Sequence, residues 1–477
     1  MLGTAFVLLT IFSLAHCIPL NQIQQARLIA NVSRTLFNQS QQRCICQMIS
    51  SLQSISALNY FSSNQTCQLF SSNLTLVDLD LDMGWIVIYT DQSLIANMFQ
   101  PSTILTSTSS TSTTTSTSST SSTSSTSSTS TTTSTTTTAP TGWTFTGNTS
   151  IARVYHTAST LASGQVLVAG GYSGDACVNS AELYDPSTRT WTMTTNMSAA
   201  RGFHTASVLS NGKVLVTGGF NGSVYHRSAE LYDPSTGTWA TTGSMNMIRS
   251  YHTASVLPNG KVLVAGGNTA GSLSNSAEVY DPSTGMWTNV MNMTFARIFH
   301  TASVLPNGKV LVVGGNNGSS PSNSAELYDP STGTWTLTKN MNSPRLYHTA
   351  SVLTNGQILV TGGYTTGGYS NTAEVYSLAT NTWILTANMN NTRGRHAAVV
   401  LSNGNVLVTG GRDNSVTVVN SVELYNSSTG NWSTTQPMNF ARQSHTASLL
   451  SNNTVLVTDG ISSGSIYLNI AELYDTK

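Results

Sequence analysis

The polar and apolar residues of the second half of the chain follow a pattern that returns seven times. One copy, residues 296–320, reads ARIFHTASVLPNGKVLVVGGNNGSS. Its HTASVL segment alternates hydroxyl-bearing and apolar residues, as a half-buried strand does, and the Asn-Gly pair is typical of a hairpin turn. The valine run that follows is apolar on both faces and ends in two glycines. We therefore expect each copy to begin with two antiparallel strands.

Two more strands complete each copy. The segment SAELYDP predicts a third strand, STGTW a turn and TWTLT a fourth strand. A second strand that is apolar on both faces must be covered on both sides, and four-stranded sheets stacked around an axis provide that cover. The repeat histidines stand 48 or 49 residues apart: His156, His204, His252, His300, His348, His396 and His445. A period of this length predicts a β-propeller.

Paired glycines, a tyrosine and a tryptophan recur at fixed spacing, and together they resemble the kelch signature. The glycine pairs are Gly170-Gly171, Gly218-Gly219, Gly266-Gly267, Gly314-Gly315, Gly362-Gly363 and Gly410-Gly411. The tyrosines are Tyr184, Tyr232, Tyr280, Tyr328, Tyr376, Tyr425 and Tyr474. The seventh pair departs as Asp459-Gly460, so we expect the turn of that blade to differ. The resemblance covers residues 142–477 and implies a kelch β-propeller.

The ends of the repeat region predict the number of blades. The last copy stops at AELYDTK, before its tryptophan strand, while Trp143 in GWTFTGN stands ahead of the first copy. Pairing these two segments completes a seventh blade and leaves no exposed sheet edge. The expected fold class is mainly β, a seven-bladed kelch β-propeller closed by an N-terminal strand.

The residues ahead of the propeller fall into three segments. Residues 1–17 contain a short apolar run and predict a signal peptide. Residues 18–100 predict a small α+β module with disulfide bonds. Residues 101–140 predict a disordered stalk rich in serine and threonine, because this composition offers no apolar surface to bury. The propeller then takes residues 141–477.

The module at residues 18–100 resembles the apple or PAN module of extracellular proteins. Its segment RCICQMISSLQSIS carries the apolar stripe of a helix, and the strand-like runs SALNYF, TCQLF and MGWIVIYT follow. Cys44 and Cys46 lie on the predicted helix and Cys67 on a predicted strand. Three cysteines so close together predict at least one disulfide in a secreted chain. The resemblance implies binding of proteins or sugars.

Charge and sequon content indicate a protein of the extracellular space. Charged residues make up 8% of the chain, and 19 basic residues balance 19 acidic ones, which argues against nucleic acid or an anionic membrane as partner. Thirteen Asn-x-Ser/Thr triplets are candidate glycosylation sites: Asn31, Asn38, Asn64, Asn73, Asn148, Asn196, Asn221, Asn292, Asn317, Asn390, Asn426, Asn431 and Asn452. We expect a secreted glycoprotein that does not insert into membranes.

Two charged positions recur once in every blade. The glutamates are Glu182, Glu230, Glu278, Glu326, Glu374, Glu423 and Glu472. The arginines, three residues before the histidines, are Arg153, Arg201, Arg249, Arg297, Arg345, Arg393 and Arg442. We expect these groups to be buried, paired with each other or with backbone amides.

The repeat histidines have two interpretations. They could ring the axis as a metal site, but such sites use three or four ligands, and a sevenfold ring is too wide to converge on one ion. We therefore expect a structural role, such as donation to a neighbouring carbonyl, and predict no metal and no other cofactor.

We expect the functional residues at positions where the amino acids differ between the seven repeat copies. The loops LPNG and DPSTG barely vary and define a turn face, whereas the loops between second and third strands vary and share the opposite, variable face with the residue before each histidine. The candidate binding residues there are Tyr172, Phe220, Tyr225, Arg227, Tyr364, Tyr369, Arg395, Arg412 and Tyr467. Aromatic rings among Asn, Ser and Gly suit recognition of a protein or a glycan, or they only cap the blade ends.

Two other functional classes stay open beside non-catalytic recognition. Copper-radical oxidases such as galactose oxidase have seven kelch-like blades, and their chemistry needs a tyrosine joined to a cysteine, a second tyrosine and two histidines. Cys177 is the only cysteine of the repeats, and no ligand set matches residue by residue, so no catalytic residue is assigned. An extracellular enzyme with a site at the propeller mouth, or a structural matrix component, would be the alternative.

Overall fold

The computed structural model describes residues 142–476 and four short strands ahead of them. These strands are Ala57–Phe61, Thr66–Phe70, Val77–Asp80 and Trp85–Ile88. The first pairs with the second and the third with the fourth, each as an antiparallel hairpin. Three of the four fall on the predicted runs, and only Val77–Asp80 was missed. The predicted signal peptide, amphipathic helix, stalk and the pair Cys44 and Cys46 lie outside the described residues.

The chain forms two compact units, Met1–Thr135 and Thr136–Lys477. In the part of the chain that the structure describes, no helix is long and apolar enough to cross a membrane. The second unit contains the repeats, which form seven antiparallel four-stranded sheets, numbered here as blades 1 to 7 in chain order.

The strands of the blades follow the predicted order. First strands are Thr157–Thr160, Thr205–Val208, Thr253–Val256, Thr301–Val304, Thr349–Val352, Ala397–Val400 and Thr446–Leu449. Second strands are Val166–Ala169, Val214–Thr217, Val262–Ala265, Val310–Val313, Ile358–Thr361, Val406–Thr409 and Thr454–Thr458. Third strands are Ala181–Asp185, Ala229–Asp233, Ala277–Asp281, Ala325–Asp329, Ala373–Ser377, Val422–Asn426 and Ala471–Asp475. Fourth strands of blades 1 to 6 are Thr190–Met193, Thr238–Thr242, Met286–Asn289, Thr334–Leu337, Thr382–Leu385 and Asn431–Thr435.

Blade 7 is closed by the N-terminal strand, as the sequence predicted. Trp143–Phe145 pairs antiparallel with Ala471–Asp475, and Trp143 lies opposite Tyr474. The first strand of blade 7 contacts the first strand of blade 1, just as the other neighbouring first strands contact each other, so the ring is complete.

The hydrophobic core lies between the blades. All residues of the second strands of blades 1 to 6 are buried, which explains why these strands are apolar on both faces. At the first interface, Leu167 of blade 1 packs with Val214, Val216 and Tyr232 of blade 2. Farther from the axis, the Trp287 indole of blade 3 donates to the carbonyl of Gly243 at the end of blade 2, 2.7 Å away. Every blade therefore depends on its neighbours for burial and for hydrogen bonds.

Short hairpins extend the loops between second and third strands. They occur in blade 1 (Tyr172–Ser173 with Ala176–Cys177), blade 5 (Tyr364–Thr365 with Gly368–Tyr369) and blade 7 (Ile461–Ser462 with Ile466–Tyr467). A 3-10 turn at Ser463–Ser465 connects the two strands of the last hairpin. These hairpins add structure to the variable face and were not predicted.

Candidate ligand-recognition face

The repeated arginines and glutamates form buried ion pairs, which confirms the sequence prediction. The N···O distances for blades 1 to 7 are 2.7, 2.7, 2.6, 2.8, 2.7, 2.8 and 2.7 Å, and the paired side chains are at most 1% exposed. In blade 2, Arg201 also donates to the carbonyl of Gly218 at 2.7 Å, while Glu230 accepts the amide of Ser198 at 2.7 Å. These groups anchor each connecting segment to the blade that it enters, and their bonding capacity is used inside the scaffold.

The repeat histidines link neighbouring blades. Nε2 of His204 lies 3.0 Å from the hydroxyl of Thr157, on the first strand of the preceding blade, and His252 lies 3.0 Å from Thr205 in the same way. The partner of Nε2 is thus a threonine hydroxyl, and the backbone of Arg201 and of Ala169 also hydrogen-bonds to the His204 ring. Burial lowers the pKa of His204 to about 3, with the charge of Arg201 acting in the same direction, so the ring is neutral near pH 7.

The residue before each repeat histidine adopts a left-handed backbone conformation. The φ angles are 53° to 56° for Tyr155, Phe203, Tyr251, Phe299, Tyr347, Arg395 and Ser444. Backbone bonds join some of the successive members: the amide of Tyr251 donates to the carbonyl of Phe203 at 3.1 Å and the amide of Ser444 to that of Arg395 at 2.9 Å. Bulky residues rarely adopt positive φ. The repetition shows that the fold imposes this conformation on every blade.

Five of these side chains form a continuous aromatic arc, defined here as Tyr155, Phe203, Tyr251, Phe299 and Tyr347. Successive ring centroids lie 4.2, 4.0, 4.6 and 4.3 Å apart, with tilted or edge-on geometry, which suits aromatic quadrupoles. Arg395 joins the two ends of the arc. Its guanidinium carbon lies 4.4 Å from the ring centre of Tyr347, and Nη1 donates to the hydroxyl of Tyr155 at 3.2 Å.

The arc and the variable loops lie on the same face, as predicted. A β-bridge joins the residue before each arc position to the residue after the glycine pair: Val154 with Tyr172, Gly202 with Phe220, Leu346 with Tyr364 and Gly394 with Arg412 are examples. The thiol of Cys177 donates to the carbonyl of Phe220 at 3.0 Å, which ties the blade 1 hairpin to blade 2.

The predicted binding residues differ in exposure. Tyr172 is 2% exposed and Phe220 is 8% exposed, and both pack in a cluster with Phe203 and Val154, so these two rings hold the loops in place. Arg395 is buried at the arc. Those that remain half-buried are Tyr225, Tyr364, Tyr369, Arg412 and Tyr467, and Arg227 is exposed.

A clamp between blades 5 and 6 escaped the sequence analysis. The Asn414 side chain receives the backbone amide of Tyr369 and donates to its carbonyl at 2.8 Å. A Cβ at Gly394 would lie 2.7 Å from the Tyr369 ring, so the missing side chain lets that ring lie close to the backbone. The signals in the sequence were an asparagine that does not recur at this position of the other blades and a glycine that recurs only as Gly202 of blade 2, where the ring of Tyr172 lies close to the backbone in the same way.

Comparison with known families assigns the repeats. Residues 153–198 and 201–246 match the Kelch motif family, and residues 251–460 match the KLHDC2/KLHL20/DRC7 Kelch-repeats domain. The chain carries a kelch-repeat β-propeller. No curated protein sequence matches it significantly.

One solved structure of similar fold is an oxidase. A fungal alcohol oxidase of the AA5 family in complex with copper is 21% identical, with a TM-score of 0.58 over 70% of this chain and 76% of that chain. At this identity the likeness concerns the fold alone. Across residues 142–476 of the kelch propeller, no group of three or more His, Cys, Asp or Glu side chains is placed to hold a metal ion.

The candidate glycosylation sites of the kelch propeller are accessible. Asn148, Asn196 and Asn292 occupy one repeat position and are exposed, while Asn390 is exposed with its amide nitrogen 3.0 Å from Glu423. Exposed or half-exposed as well are Asn221, Asn317, Asn426, Asn431 and Asn452. Outside the described residues lie Asn31, Asn38, Asn64 and Asn73. Glycosylation itself stays a prediction.

Proposed function

We propose that this kelch propeller is a non-catalytic recognition module that binds a protein or a glycan through its variable face. The aromatic arc with its surrounding loops is the observation that carries the proposal. The repeated Arg, Glu and His side chains are buried in contacts between and within blades, so they are committed to the scaffold. The variable face instead combines half-buried tyrosines with arginine and small polar residues.

This composition favours binding for physical reasons. Tyrosine supplies a large contact area with few rotatable bonds, and its hydroxyl adapts to polar partners. Interface energy concentrates on such aromatic and arginine anchors. The clamp of Asn414 on Tyr369 fixes the blade 5 hairpin before a ligand arrives, which reduces the entropy lost on binding. Protein ligands are favoured over glycans because kelch propellers generally bind proteins.

We also propose that the protein is secreted and glycosylated. The apolar N-terminal run, the Ser/Thr-rich stalk and the accessible sequons support a secreted glycoprotein in which the module at residues 18–100 and the propeller each contribute to binding. The supporting observations are in the sequence and in the exposure of the sequons.

Binding screens of the full-length protein test the proposal. A displayed-peptide library, a panel of extracellular domains and a glycan array serve as probes, with Tyr225→Ala and Tyr364→Ala as test variants and Met286→Ala as the control. Met286 is 66% exposed on an outer strand. We expect at least about a tenfold loss of affinity in the tyrosine variants and none in the control.

Other outcomes would contradict this function. Stoichiometric copper together with turnover of an alcohol would identify an enzyme. Self-association without any ligand would indicate a structural component of the matrix. A ligand whose affinity drops in Met286→Ala, and not in the tyrosine variants, would move the site to the blade edges.

A further inference from the structure

The seam between blade 7 and blade 1 differs from the other six seams at two buried positions. At the other seams the second strand ends in a glycine that packs against a methionine. At Gly266, for example, an added Cβ would lie 2.8 Å from the carbonyl oxygen of Arg297 and 3.3 Å from Cε of Met293. At the closing seam Asp459 takes the glycine position, with φ 58°, and Thr149 takes the methionine position.

The two replacements compensate each other. A threonine is shorter than a methionine, so Thr149 leaves the space that the carboxyl group of Asp459 needs. Both residues are buried, at 1% and 0% exposure. They lie 310 positions apart in the chain and yet bond directly, with 2.5 Å between Thr149 Oγ1 and Asp459 Oδ1. The seam is therefore specific to the two ends of the repeat region.

The hydroxyl of Thr149 has one hydrogen for three nearby acceptors, and two of these, the carbonyls of Asn469 and Ile151, also accept from the Thr149 amide and from Arg153 Nε. The Thr149 hydroxyl lies near three acceptors: the Asp459 carboxyl, the carbonyl of Asn469 at 3.2 Å and the carbonyl of Ile151 at 3.3 Å. One hydroxyl hydrogen serves one of them well. If Asp459 is protonated, the carboxyl donates to Oγ1 and the hydroxyl donates onward to a backbone carbonyl, so both groups are satisfied.

The charged groups around Asp459 come from three elements. In the connector into blade 1, Arg153 Nε and His156 Nε2 lie 3.7 and 3.9 Å from Oδ2. Arg153 is already paired with Glu182 on the third strand, and Arg442 comes from the connector into blade 7. Burial outweighs the attraction of both arginines and raises the pKa of Asp459 to about 8. Burial lowers the pKa of His156 well below its usual value, so the closed seam holds this ring neutral beside the hydroxyl of Thr446 in blade 7.

We propose that Thr149 and Asp459 form a proton-dependent latch that holds the propeller ring closed. Thr149 follows the closing strand Trp143–Phe145, and Asp459 follows the second strand of the blade that this strand completes. When Asp459 releases its proton to water, a buried negative charge replaces a neutral hydrogen-bonded pair, and opening of the seam becomes easier. The contact between the first and last blades is thus stronger in mildly acidic than in alkaline surroundings.

The direction of the pH dependence of seam opening follows from the proton that Asp459 binds in the closed and in the open state. An opened seam exposes Asp459 to water, where a carboxyl is ionised above about pH 4, whereas the closed seam retains the proton up to about pH 8. Below about pH 6.5 an opened seam also protonates His156, which offsets this difference. Between about pH 6.5 and 8 the closed state therefore binds one more proton than the open state. The opening constant therefore rises with pH, by up to about tenfold per unit.

Hydrogen exchange of the full-length protein tests the latch. Protection of residues 143–152 is measured from about pH 6.5 to 8, above the range in which an exposed histidine binds a proton, corrected for the pH dependence of intrinsic exchange, in the wild type and in Asp459→Asn. We expect protection to fall with rising pH in the wild type and to stay level in the variant. The first strand of blade 4, Thr301–Val304, is the internal control and behaves alike in both proteins. The same pH dependence in Asp459→Asn, or a level profile in the wild type, would overturn the proposal.

A second variant keeps the test decisive if Asp459→Asn fails to fold. The double change Thr149→Met with Asp459→Gly rebuilds the closing seam in the pattern of the other six, so we expect it to fold and to lack the pH dependence. Thr149→Met alone places a methionine against Asp459 and is expected to lower protection at every pH. A double variant that still loses protection between about pH 6.5 and 8 as the wild type does would assign the effect to other groups.

Discussion

The guanidinium of Arg249 lies 2.6 Å from the carboxylate of Glu278 inside blade 3, and neither side chain is exposed. Removing one member leaves the other charge buried without its partner, which costs about 3–5 kcal/mol. We therefore expect Arg249→Met to lower the free energy of unfolding by about that amount in denaturant titrations.

The matched control for this variant is a surface pair of the same blade. Lys261 and Asp281 lie 2.9 Å apart, with 44% and 27% of their side chains exposed. Exposed pairs contribute about 0–1 kcal/mol, so Lys261→Met is expected to have a small effect. Equal losses in the two variants would mean that the buried pair adds no more than a surface pair does.

Two glycines of similar φ separate backbone strain from close packing. Gly266 has φ 69° and Gly237 has φ 67°. A Cβ at Gly266 would lie 2.8 Å from both the Arg297 carbonyl oxygen and His300 Cε1, whereas at Gly237 it meets nothing within 4 Å. We expect Gly237→Ala to cost about 1 kcal/mol from backbone conformation alone and Gly266→Ala to cost clearly more. Thermal or denaturant unfolding of both variants measures the difference, and a similar cost in both would contradict the packing argument.

The buried histidines predict loss of stability in acid. Because burial lowers the pKa of His204 to about 3, the unfolded chain binds a proton there below about pH 6.5 that the folded chain does not bind. Stability that is present above pH 6.5 is thus lost as the pH falls toward the folded pKa, by about 2 kcal/mol at pH 5 for this ring. In His204→Gln we expect the change in unfolding free energy between pH 7 and 5 to shrink by that amount. An unchanged difference would mean that the folded protein protonates this histidine.

Two of the left-handed positions separate the cost of the backbone conformation from the stability that an aromatic ring contributes. Ser444 and Tyr251 have φ 54° and 56°, and glycine adopts such angles without the cost of a Cβ. Ser444→Gly is expected to stabilise the protein by up to about 1 kcal/mol. Tyr251→Gly gains the same backbone relief but loses contacts to Phe203 and Phe299, so we expect net destabilisation. Unfolding curves decide, and stabilisation by both changes would show that the arc adds nothing to stability.

The sequence predicted the structure best at positions where the same structural requirement, such as a buried strand or an ion pair, recurs in every blade. The apolar second strand, the Arg–Glu pairs and the closing strand at Trp143 each follow from a local pattern or from the need to complete a sheet, and the structure confirms them. The aromatic residues that precede five of the repeat histidines can also be read directly from the sequence. That they touch each other around the axis depends on how neighbouring blades are placed, and a period along the chain does not contain that information.

Single departures from the repeat were harder to interpret. Asp459 stood out as a change in the glycine pair, but its partner Thr149 lies 310 positions away. The link emerges only when the two ends of the repeat region meet in one seam. Arg395 likewise was only one of the candidate binding residues, whereas in the folded protein it is buried, stacks on Tyr347 and bonds to Tyr155.

The closing strand also determines how the propeller responds to tension. Trp143 lies opposite Tyr474 and Phe145 opposite Glu472, so the two ends of the repeat region leave blade 7 at neighbouring points. A load applied between residues 142 and 476 would reach the three paired positions of this strand one after another rather than all at once. Under force, we expect the strand Trp143–Phe145 to separate from blade 7 pair by pair, so that the ring opens while the other six blades are still folded.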